Sequence, residues 1–385
     1  MKIIPSLLVA LTITSISYAK DKKEDLAAAQ LQQIMKENNA VGLAVAVVKD
    51  GKIIYVNSFG KKNVENNVDL KKDDIFRIAS ISKSFTTTAL MTLMDRGLLT
   101  PDQDVSDLIG FKVRNPKYPD IPITVKMLLS HTSSLCDSAG YFSLDVVNPD
   151  KTDKFALAYH SYAPGTAYDY CNLGFNIIGT LVEKLSGVRF DNYVRDNVIK
   201  PLGLYAGYNV DSLDASKFVT LYGNDDYGVY GPRLEAYRSR AEDISNGYIL
   251  GYSTPLFSPT GGIKISAQDL ARYMIMHMNY GKSGKVRIMS EKNSKMMQTP
   301  IVKEDEYSSY GMALEKVTNL IPGEVMTGHT GSAYGVYSAM FFNPEKKFGI
   351  VMMTNGCTAV YKDGFTQIQR DVERALYKIF IEKGK

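Results

Sequence analysis

The sequence predicts an α+β sandwich in which an antiparallel sheet flanked by helices is built from both ends of the chain. Strand patterns with hairpin turns occur near the N-terminus and again after residue 300, whereas residues 102–250 contain short helical patterns and many turns. We therefore expect residues 20–100 and 255–385 to form an α/β lobe, residues 101–254 to form a mostly helical inserted lobe, and the functional site to lie between them.

The first elements are a helix and a hairpin. Residues 24–38 have the period of an amphipathic helix, and residues 41–48 form an apolar run typical of a buried strand. The Asp-Gly pair that follows predicts a tight turn into a partner strand over residues 53–59. After Ser80, apolar side chains recur at helical spacing, so we expect Ser80 to begin a buried helix.

The last elements are strands and a helix. Residues 310–314 have strand character, and residues 324–329, 337–342 and 348–354 predict an antiparallel meander. Apolar positions between Phe365 and Ile379 define a closing helix. Because the closing strands lie far from the opening hairpin in sequence, a sheet made from both termini accounts for the pattern.

The first nineteen residues resemble a secretory signal. Lys2 is their only charged side chain, an apolar run follows, and residues 17–19 have the small-x-small pattern of a cleavage site. The run is too short and too rich in Thr and Ser to span a membrane comfortably, and no cysteine follows the predicted cut. We expect a periplasmic or secreted protein without a stable membrane anchor.

Composition argues against several classes of protein. The formal net charge of +4 is too small a surplus to indicate a nucleic-acid partner. The four histidines lie far apart and none has metal-ligand spacing, so we expect no metal and no other cofactor. Three cysteines are few for a disulfide framework; one bridge or three buried thiols are both compatible with Cys136, Cys171 and Cys357.

Ser80 and Lys83 place a hydroxyl and an amine one helical turn apart. At a helix N-terminus, free N–H groups and the helix dipole favour an oxyanion, so Ser80 is a candidate nucleophile and Lys83 a candidate base. The spacing alone is weak evidence, because residues 17–20 also match it across the predicted cleavage site. Taken alone, the motif favours the interpretation of Ser80 as a helix N-cap with an incidental lysine.

Two further motifs follow in the chain. Tyr170 and Asn172 stand two residues apart before a helical pattern, and His329-Thr330-Gly331 occurs in the meander. Each has an ordinary structural interpretation, respectively a strand-to-helix turn and a strand end. The three motifs together are harder to explain in this way.

With these motifs and their flanks, the chain resembles the serine β-lactamase and penicillin-binding protein superfamily, in particular its branch of class C β-lactamases, DD-peptidases and family VIII esterases. Stretches similar to that family include FRIASISKSF, LLSHTSSL, PGTAYDYCNLGFNIIG and GHTGSAYGVYSAMFFNP, and they extend over most of the chain after residue 19. The resemblance implies a β-lactamase/transpeptidase-like fold and a serine acyl-enzyme.

The resemblance also implies a role for each matched residue. Ser80 would be the nucleophile, Lys83 and Tyr170 would jointly handle its proton, and Asn172 would bind Lys83 or the acyl-side amide of the substrate. His329, Thr330, Gly331 and Ser332 would form the strand beside the nucleophile, with an oxyanion hole made by the N–H groups of Ser80 and Ser332. A side chain at Gly331 would block the substrate along the strand edge. Whether Lys83 or Tyr170 is the base stays open.

The sequence departs from the family at two positions that concern substrate. Many β-lactamases carry Lys where this chain has His329, and a histidine near its ordinary pKa is mostly neutral at pH 7. Ser134 stands where the family usually has Gly, which we interpret as a loop variation. No obvious Glu is available to activate a deacylating water, so deacylation would use Tyr170 or the substrate itself. His131 in LLSHTSSL is expected to be structural.

We therefore expect an exported enzyme that hydrolyses an ester or an amide or peptide bond through a Ser80 acyl-enzyme, as an esterase or a D-amino-acid or DD-peptidase would. One alternative is an acyltransferase with an alcohol or amine acceptor, because the tyrosine-rich segment 205–252 could form an apolar cleft wall rather than a packed loop. Another is a weak β-lactamase or a penicillin-binding sensor without turnover. The expected partner is a small-molecule or peptide substrate with apolar or aromatic bulk, bound by a monomer.

Overall fold

The computed structural model describes residues 6–224 and 227–382, with side chains from residue 22 onward. The first five residues of the predicted leader lie outside the described residues, and the leader stays a prediction. No helix within the described residues combines the length and the apolar character needed to cross a membrane.

A nine-stranded sheet forms the centre of the fold. Its strands are β1 (Gly42–Lys49), β2 (Lys52–Asn63), β3 (Val68–Asp69), β4 (Val302–Lys303), β5 (Ser308–Tyr310), β6 (Glu315–Val317), β7 (Met326–Ala333), β8 (Val336–Asn343) and β9 (Phe348–Thr354). The order across the sheet is β4-β5-β6-β7-β8-β9-β1-β2-β3, and each neighbouring pair is antiparallel. The pairing of β9 with β1 joins the two ends of the chain, and the predicted fold class is confirmed.

Ten α-helices surround the sheet within the described residues. They are α1 (Ser6–Glu37), α2 (Ser82–Asp95), α3 (Val105–Ile109), α4 (Val125–Leu129), α5 (Asn172–Ser186), α6 (Phe190–Val194), α7 (Ala241–Ser245), α8 (Ala267–Met278), α9 (Glu291–Gln298) and α10 (Gln367–Leu376). α1 packs against α10 on one face, α8 packs on the other face, and α2 packs against α5.

Short strand pairs complete the fold. Phe76–Arg77, Lys264–Ile265 and Ala206–Gly207 form a three-stranded sheet, and the two-stranded pairs are Tyr222–Asn224 with Tyr230–Pro232, Lys282–Ser283 with Val286–Arg287, and Tyr361–Lys362 with Phe365–Thr366. The first of these sheets leads directly into the segment that carries Ser80.

Burial on both faces explains why β1 is a continuous apolar run instead of an alternating one. Ala44 and Ala46 belong to the core beneath α8, whereas Leu43 and Val45 belong to a second core beneath α1 and α10. Helices on both faces of a sheet leave no face for polar side chains.

The predicted division of the chain into two lobes stays a prediction.

One strand prediction was wrong. Residues 310–314 do not form a single strand: β5 ends at Tyr310 and β6 begins at Glu315. The chain reverses between them, since Gly311 N–H donates to the Leu314 carbonyl and Ala313 has the left-handed φ of 61°. Apolar composition alone did not distinguish this buried turn from a strand.

Candidate active site

Ser80 lies in a single 3₁₀ turn, Ala79–Ile81, immediately before α2. The predicted helix therefore begins two residues later than expected, and Ser80 precedes its first turn. Ala79 has a φ of 50°, a left-handed conformation that a non-glycine residue rarely adopts. The Ser82 hydroxyl donates to the Ala79 carbonyl, which holds this turn closed in front of α2. Strained backbone beside a reactive residue is common at functional sites.

Lys83 lies one turn further along and is fully buried. Its Nζ is 3.1 Å from Ser80 Oγ, 2.8 Å from Asn172 Oδ1 and 3.2 Å from the Thr260 carbonyl oxygen. Burial lowers the pKa of Lys83 to about 7, while the charge of Asp137 acts to raise it. The amine is therefore close to half neutral at physiological pH, as a base for a serine must be.

The orientation of the Asn172 amide is set by Asp137. One carboxylate oxygen of Asp137 accepts from Asn172 Nδ2 at 2.8 Å and from Asn172 N–H at 3.0 Å, and the other accepts from Leu173 N–H at 2.9 Å. Asp137 thus caps α5 from a distant part of the chain, where a carboxylate is favoured by the helix dipole. Asn172 Oδ1 is left to accept from Lys83 and from the Thr260 hydroxyl at 2.6 Å.

Valence assigns the direction of the hydrogen bond between Ser80 and Lys83 when the amine is neutral. A neutral amine has two N–H groups and one lone pair. Asn172 Oδ1 and the Thr260 carbonyl oxygen, both next to Lys83 Nζ, can only accept hydrogen bonds. They therefore accept from the two N–H groups of the amine. The lone pair then faces the Ser80 hydroxyl, which is the one partner able to donate.

Tyr170 completes the cluster. Its ring centroid is 4.6 Å from Lys83 Nζ, and its hydroxyl is buried without a hydrogen bond of good geometry. Burial raises the pKa of Tyr170 strongly, and the neighbouring Ser80 hydroxyl opposes this only in part. The group is therefore a neutral phenol in the free enzyme, and it has a proton to give.

His131 supports Tyr170 from behind, as expected of a structural histidine. Its Nδ1 accepts from Cys171 N–H at 3.0 Å, and its ring centroid is 4.3 Å from that of Tyr170. Burial holds the pKa of His131 well below its ordinary value.

The Cys171 thiol, between Tyr170 and Asn172 in the sequence, is buried, and burial raises its pKa. All three cysteines are free and buried, so the alternative of one disulfide bridge was wrong.

His329 is neutral for a structural reason. Its Nε2 lies 2.9 Å from the Tyr310 hydroxyl and its Nδ1 lies 2.6 Å from the Thr330 carbonyl oxygen. Burial lowers the pKa of His329 to about 3, with a smaller effect from the charge of Lys83. Because the carbonyl can only accept, Nδ1 carries the proton and Nε2 accepts from Tyr310. The group offers no positive charge to a substrate.

The reason inferred for Gly331 was wrong. A Cβ there would meet the Ile78 carbonyl oxygen at 2.2 Å and Ser338 Oγ at 2.4 Å, not a substrate. Gly331 is required because β7 packs directly on the backbone that leads into Ser80. The glycine therefore sets the distance between the strand and the nucleophile.

Ser80 opens into a cleft with a volume of about 630 Å³. Tyr170, Asn172 and Ser332 line it too, so the structure brings most of the predicted site residues together. His329 and Thr330 instead line a cavity of about 100 Å³ that also borders Tyr170 and contains four carboxylates, from Glu304, Asp305, Glu315 and Asp363. Both of these residues sit beside the predicted site without lining the main cleft.

The tyrosines of the cleft were not those expected. Tyr141, Tyr334 and Tyr337 line the cleft together with Tyr170, and all four lie outside segment 205–252. Within that segment Tyr208 is buried and donates to the Ser82 carbonyl, whereas Tyr227 is 92 % exposed. The packed-loop interpretation holds for Tyr208. Tyr222 and Tyr230 line only an adjoining cavity of about 700 Å³.

Two residues of the site were missed by sequence reasoning. Asp137 and Thr260 bind Asn172 and Lys83 from loops that carry no catalytic motif. Asp137 does follow the family-like stretch LLSHTSSL, and Thr260 lies in the Pro-Thr-Gly-Gly turn. That turn lies in SPTGGIKISAQDLARYM, another stretch typical of the family, so each of the two residues stood in or beside such a stretch.

Fold and geometry together place a serine hydroxyl beside a buried lysine amine at the edge of a cleft. In agreement with this, the family model described as Beta-lactamase matches residues 27–369. The chain belongs to this family, which confirms the resemblance found in the sequence, and it is of the serine hydrolase and acyl-transfer type.

Individual relatives agree with this assignment. Penicillin-binding protein 4 of Amycolatopsis lactamdurans is 28 % identical over 348 residues, which are 86 % of each chain. The octameric penicillin-binding protein homologue from Pyrococcus abyssi has a TM-score of 0.71 at 26 % identity, covering 92 % of this chain and 76 % of that one. EstCE1, a hydrolase with promiscuous acyltransferase activity, has a TM-score of 0.72 at 20 % identity, covering 94 % of this chain and all (100 %) of that one, and shows the shared fold.

The pKa of Lys83 predicts a pH profile. Protonated Lys83 cannot accept the Ser80 proton, so kcat/KM should rise as pH increases through about 7. Asp137→Asn removes the charge that raises this pKa, so the rising limb should move to lower pH. Asp169→Asn is the matched control, because that carboxylate binds His160 at 2.8 Å instead. Coinciding profiles for wild type and Asp137→Asn would contradict this electrostatic account.

Close packing at Gly331 predicts a stability difference between two glycines. Gly331→Ala should lower the free energy of unfolding by about 1–3 kcal/mol, because Ile78 must move away. Gly231→Ala is the control, since a Cβ there meets nothing within 4 Å. Urea unfolding of both variants measures the difference, and equal stabilities would contradict the packing argument.

Proposed function

We propose that this protein is an exported serine hydrolase that cleaves an ester or an amide or peptide bond through a Ser80 acyl-enzyme. The observation that carries the proposal is the geometry of the buried Lys83 amine. Asn172 Oδ1 and the Thr260 carbonyl oxygen accept its two N–H groups, so its lone pair faces the Ser80 hydroxyl. A pure binding module has no use for such a proton acceptor. The predicted leader supports export.

In acylation, Ser80 Oγ attacks the substrate carbonyl while its proton passes to Lys83 Nζ. The oxyanion that forms would be stabilised by the N–H groups of Ser80 and Ser332, each typically contributing about 3–4 kcal/mol in such sites. The leaving group then departs with a proton. Tyr170 can donate it, because the buried phenol is protonated and its hydroxyl has no other hydrogen bond of good geometry. The tyrosinate would then take back a proton from protonated Lys83, which returns Lys83 to its neutral form before deacylation.

In deacylation, water attacks the acyl-enzyme and restores the Ser80 hydroxyl. The described residues that line the cleft include no aspartate or glutamate, so no carboxylate there is placed to activate this water. Lys83 in its neutral form, or a group of the substrate, would take the proton. We propose that this step is slower than acylation.

A second candidate function is transfer of the acyl group to an alcohol or amine. The tyrosines that line the cleft favour it, since aromatic walls hold an apolar acceptor and displace water. EstCE1, which shares the fold, is described as having promiscuous acyltransferase activity. Partition of the acyl-enzyme between water and added alcohols, followed by mass spectrometry, separates transfer from hydrolysis.

Efficient β-lactamase activity is less favoured. A β-lactam carries a carboxylate, and His329 is neutral and bound by Tyr310 and the Thr330 carbonyl. Weak turnover of β-lactams or stoichiometric labelling remains the third candidate.

We expect a monomer, although the homologue from Pyrococcus abyssi is described as octameric. Analytical ultracentrifugation measures the number of chains in the assembly.

The proposal predicts the behaviour of two variants. Ser80→Ala should abolish labelling by a fluorophosphonate probe and hydrolysis of chromogenic esters, because the attacking oxygen is absent. Tyr170→Phe should still be labelled but should turn over esters roughly 10²–10⁴-fold more slowly, the usual size of a general acid–base contribution. Circular dichroism controls for folding. Full labelling of a folded Ser80→Ala variant would refute the assignment.

A further inference from the structure

Arg77 is a buried charge at the wall of the catalytic cleft. It lies three residues before Ser80, is 6 % exposed and lines the same cleft as the nucleophile. Its guanidinium donates through Nε to the Gly261 carbonyl at 3.0 Å, through Nη1 to the Ala236 carbonyl at 3.3 Å and through Nη2 to Ser258 Oγ at 3.4 Å. All three partners are neutral.

No carboxylate neutralises Arg77 within the part of the chain that the structure describes. Its electrostatic neighbours are Tyr334, Tyr237, Tyr141 and a further cation, Arg240. Lys264, paired with Arg77 across the short sheet, is also buried and donates to the Tyr208 carbonyl at 2.6 Å, and the charge of Asp211 partly favours its protonated form. A buried charge without a counter-ion is costly, and proteins rarely retain one without a function.

Among the residues that the structure describes, the charged side chains that line the cleft are all positive. Of the described residues that border it, Arg77 and Arg233 are the charged ones, and Arg233 is paired with Glu235. The carboxylates near Tyr170 line the separate small cavity. A guanidinium has five N–H groups, so two of those on Arg77 are not used by the three neutral partners.

Tyr334 holds the guanidinium in place. It lies at the tip of the hairpin between β7 and β8, with a left-handed φ of 54° followed by Gly335 at 86°. The centre of its ring is 4.7 Å from Arg77 Cζ. Tyr334 is two residues beyond Ser332, so this stack lies on the cleft wall that follows the proposed oxyanion donor.

We propose that Arg77, braced by Tyr334, is an anion subsite that binds a carboxylate of the substrate during acyl transfer at Ser80. The proposal rests on the proposed function and names its substrate class: esters or amides that carry a carboxylate near the scissile bond. Arginine suits this task, because its planar N–H groups match the two oxygens of a carboxylate. Arg77 lines the main cleft, whereas His329 lines the separate small cavity, so the two positions would contact different parts of a substrate.

Two matched pairs of esters test the proposal. Mono-4-nitrophenyl glutarate and 4-nitrophenyl valerate differ by a carboxylate on the acyl side, and 3-acetoxybenzoate and phenyl acetate differ by one on the leaving side. Wild type should favour the anionic member of at least one pair, measured as the ratio of kcat/KM values. Arg77→Gln should lower that ratio roughly tenfold or more, as expected for loss of a charge-assisted hydrogen bond, and Arg77→Lys should restore part of it.

Arg238→Gln is the control, because Arg238 pairs with Asp243 and does not line the cleft; its ratio should match that of wild type. If wild type shows no preference for the anionic ester in either pair, the subsite proposal is refuted, and no variant is needed to decide this. An equal fall for both members of each pair in Arg77→Gln would show a structural role only. Ser80→Ala tested on the same esters distinguishes failure of the subsite from failure of the proposed function.

Discussion

The burial of the Lys83 amine is the constraint on which the site depends. An exposed lysine is protonated at neutral pH and cannot accept a proton from a serine, whereas a buried one loses part of its hydration and its pKa falls to about 7. Three elements enclose it: α2, which carries it, the start of α5 with Asn172, and the turn that contains Thr260. Asp137 limits the effect, because its charge prevents the pKa from falling further.

The same close packing positions the nucleophile. β7 approaches the backbone before Ser80 so tightly that only glycine fits at position 331. Ser338 on the neighbouring strand β8 donates to the Ile78 carbonyl at 3.0 Å, which ties the sheet to this segment. The strain at Ala79 is therefore maintained by contacts on both sides of it. The sheet, although far from the helices in sequence, determines where the serine hydroxyl lies.

Much of this arrangement could be predicted because it follows from local patterns. Periodicity identified the β1–β2 hairpin and the meander. The family resemblance carried by the three motifs and their flanks implied that Ser80, Lys83, Tyr170 and Asn172 meet. Asp137 and Arg77 could not be found in this way, because their roles come from what surrounds them after folding. Gly331 shows the same limit: its position was clear, but the atom that forbids a side chain belongs to Ile78.

A direct titration of Lys83 tests the central claim. Selective isotope labelling of lysine, with the signal assigned by a Lys83→Arg variant, allows the pKa of this amine to be measured by NMR in the free enzyme. The account predicts a value near 7 in wild type and a lower one in Asp137→Asn. A value near 10, that of an ordinary exposed lysine, would contradict it.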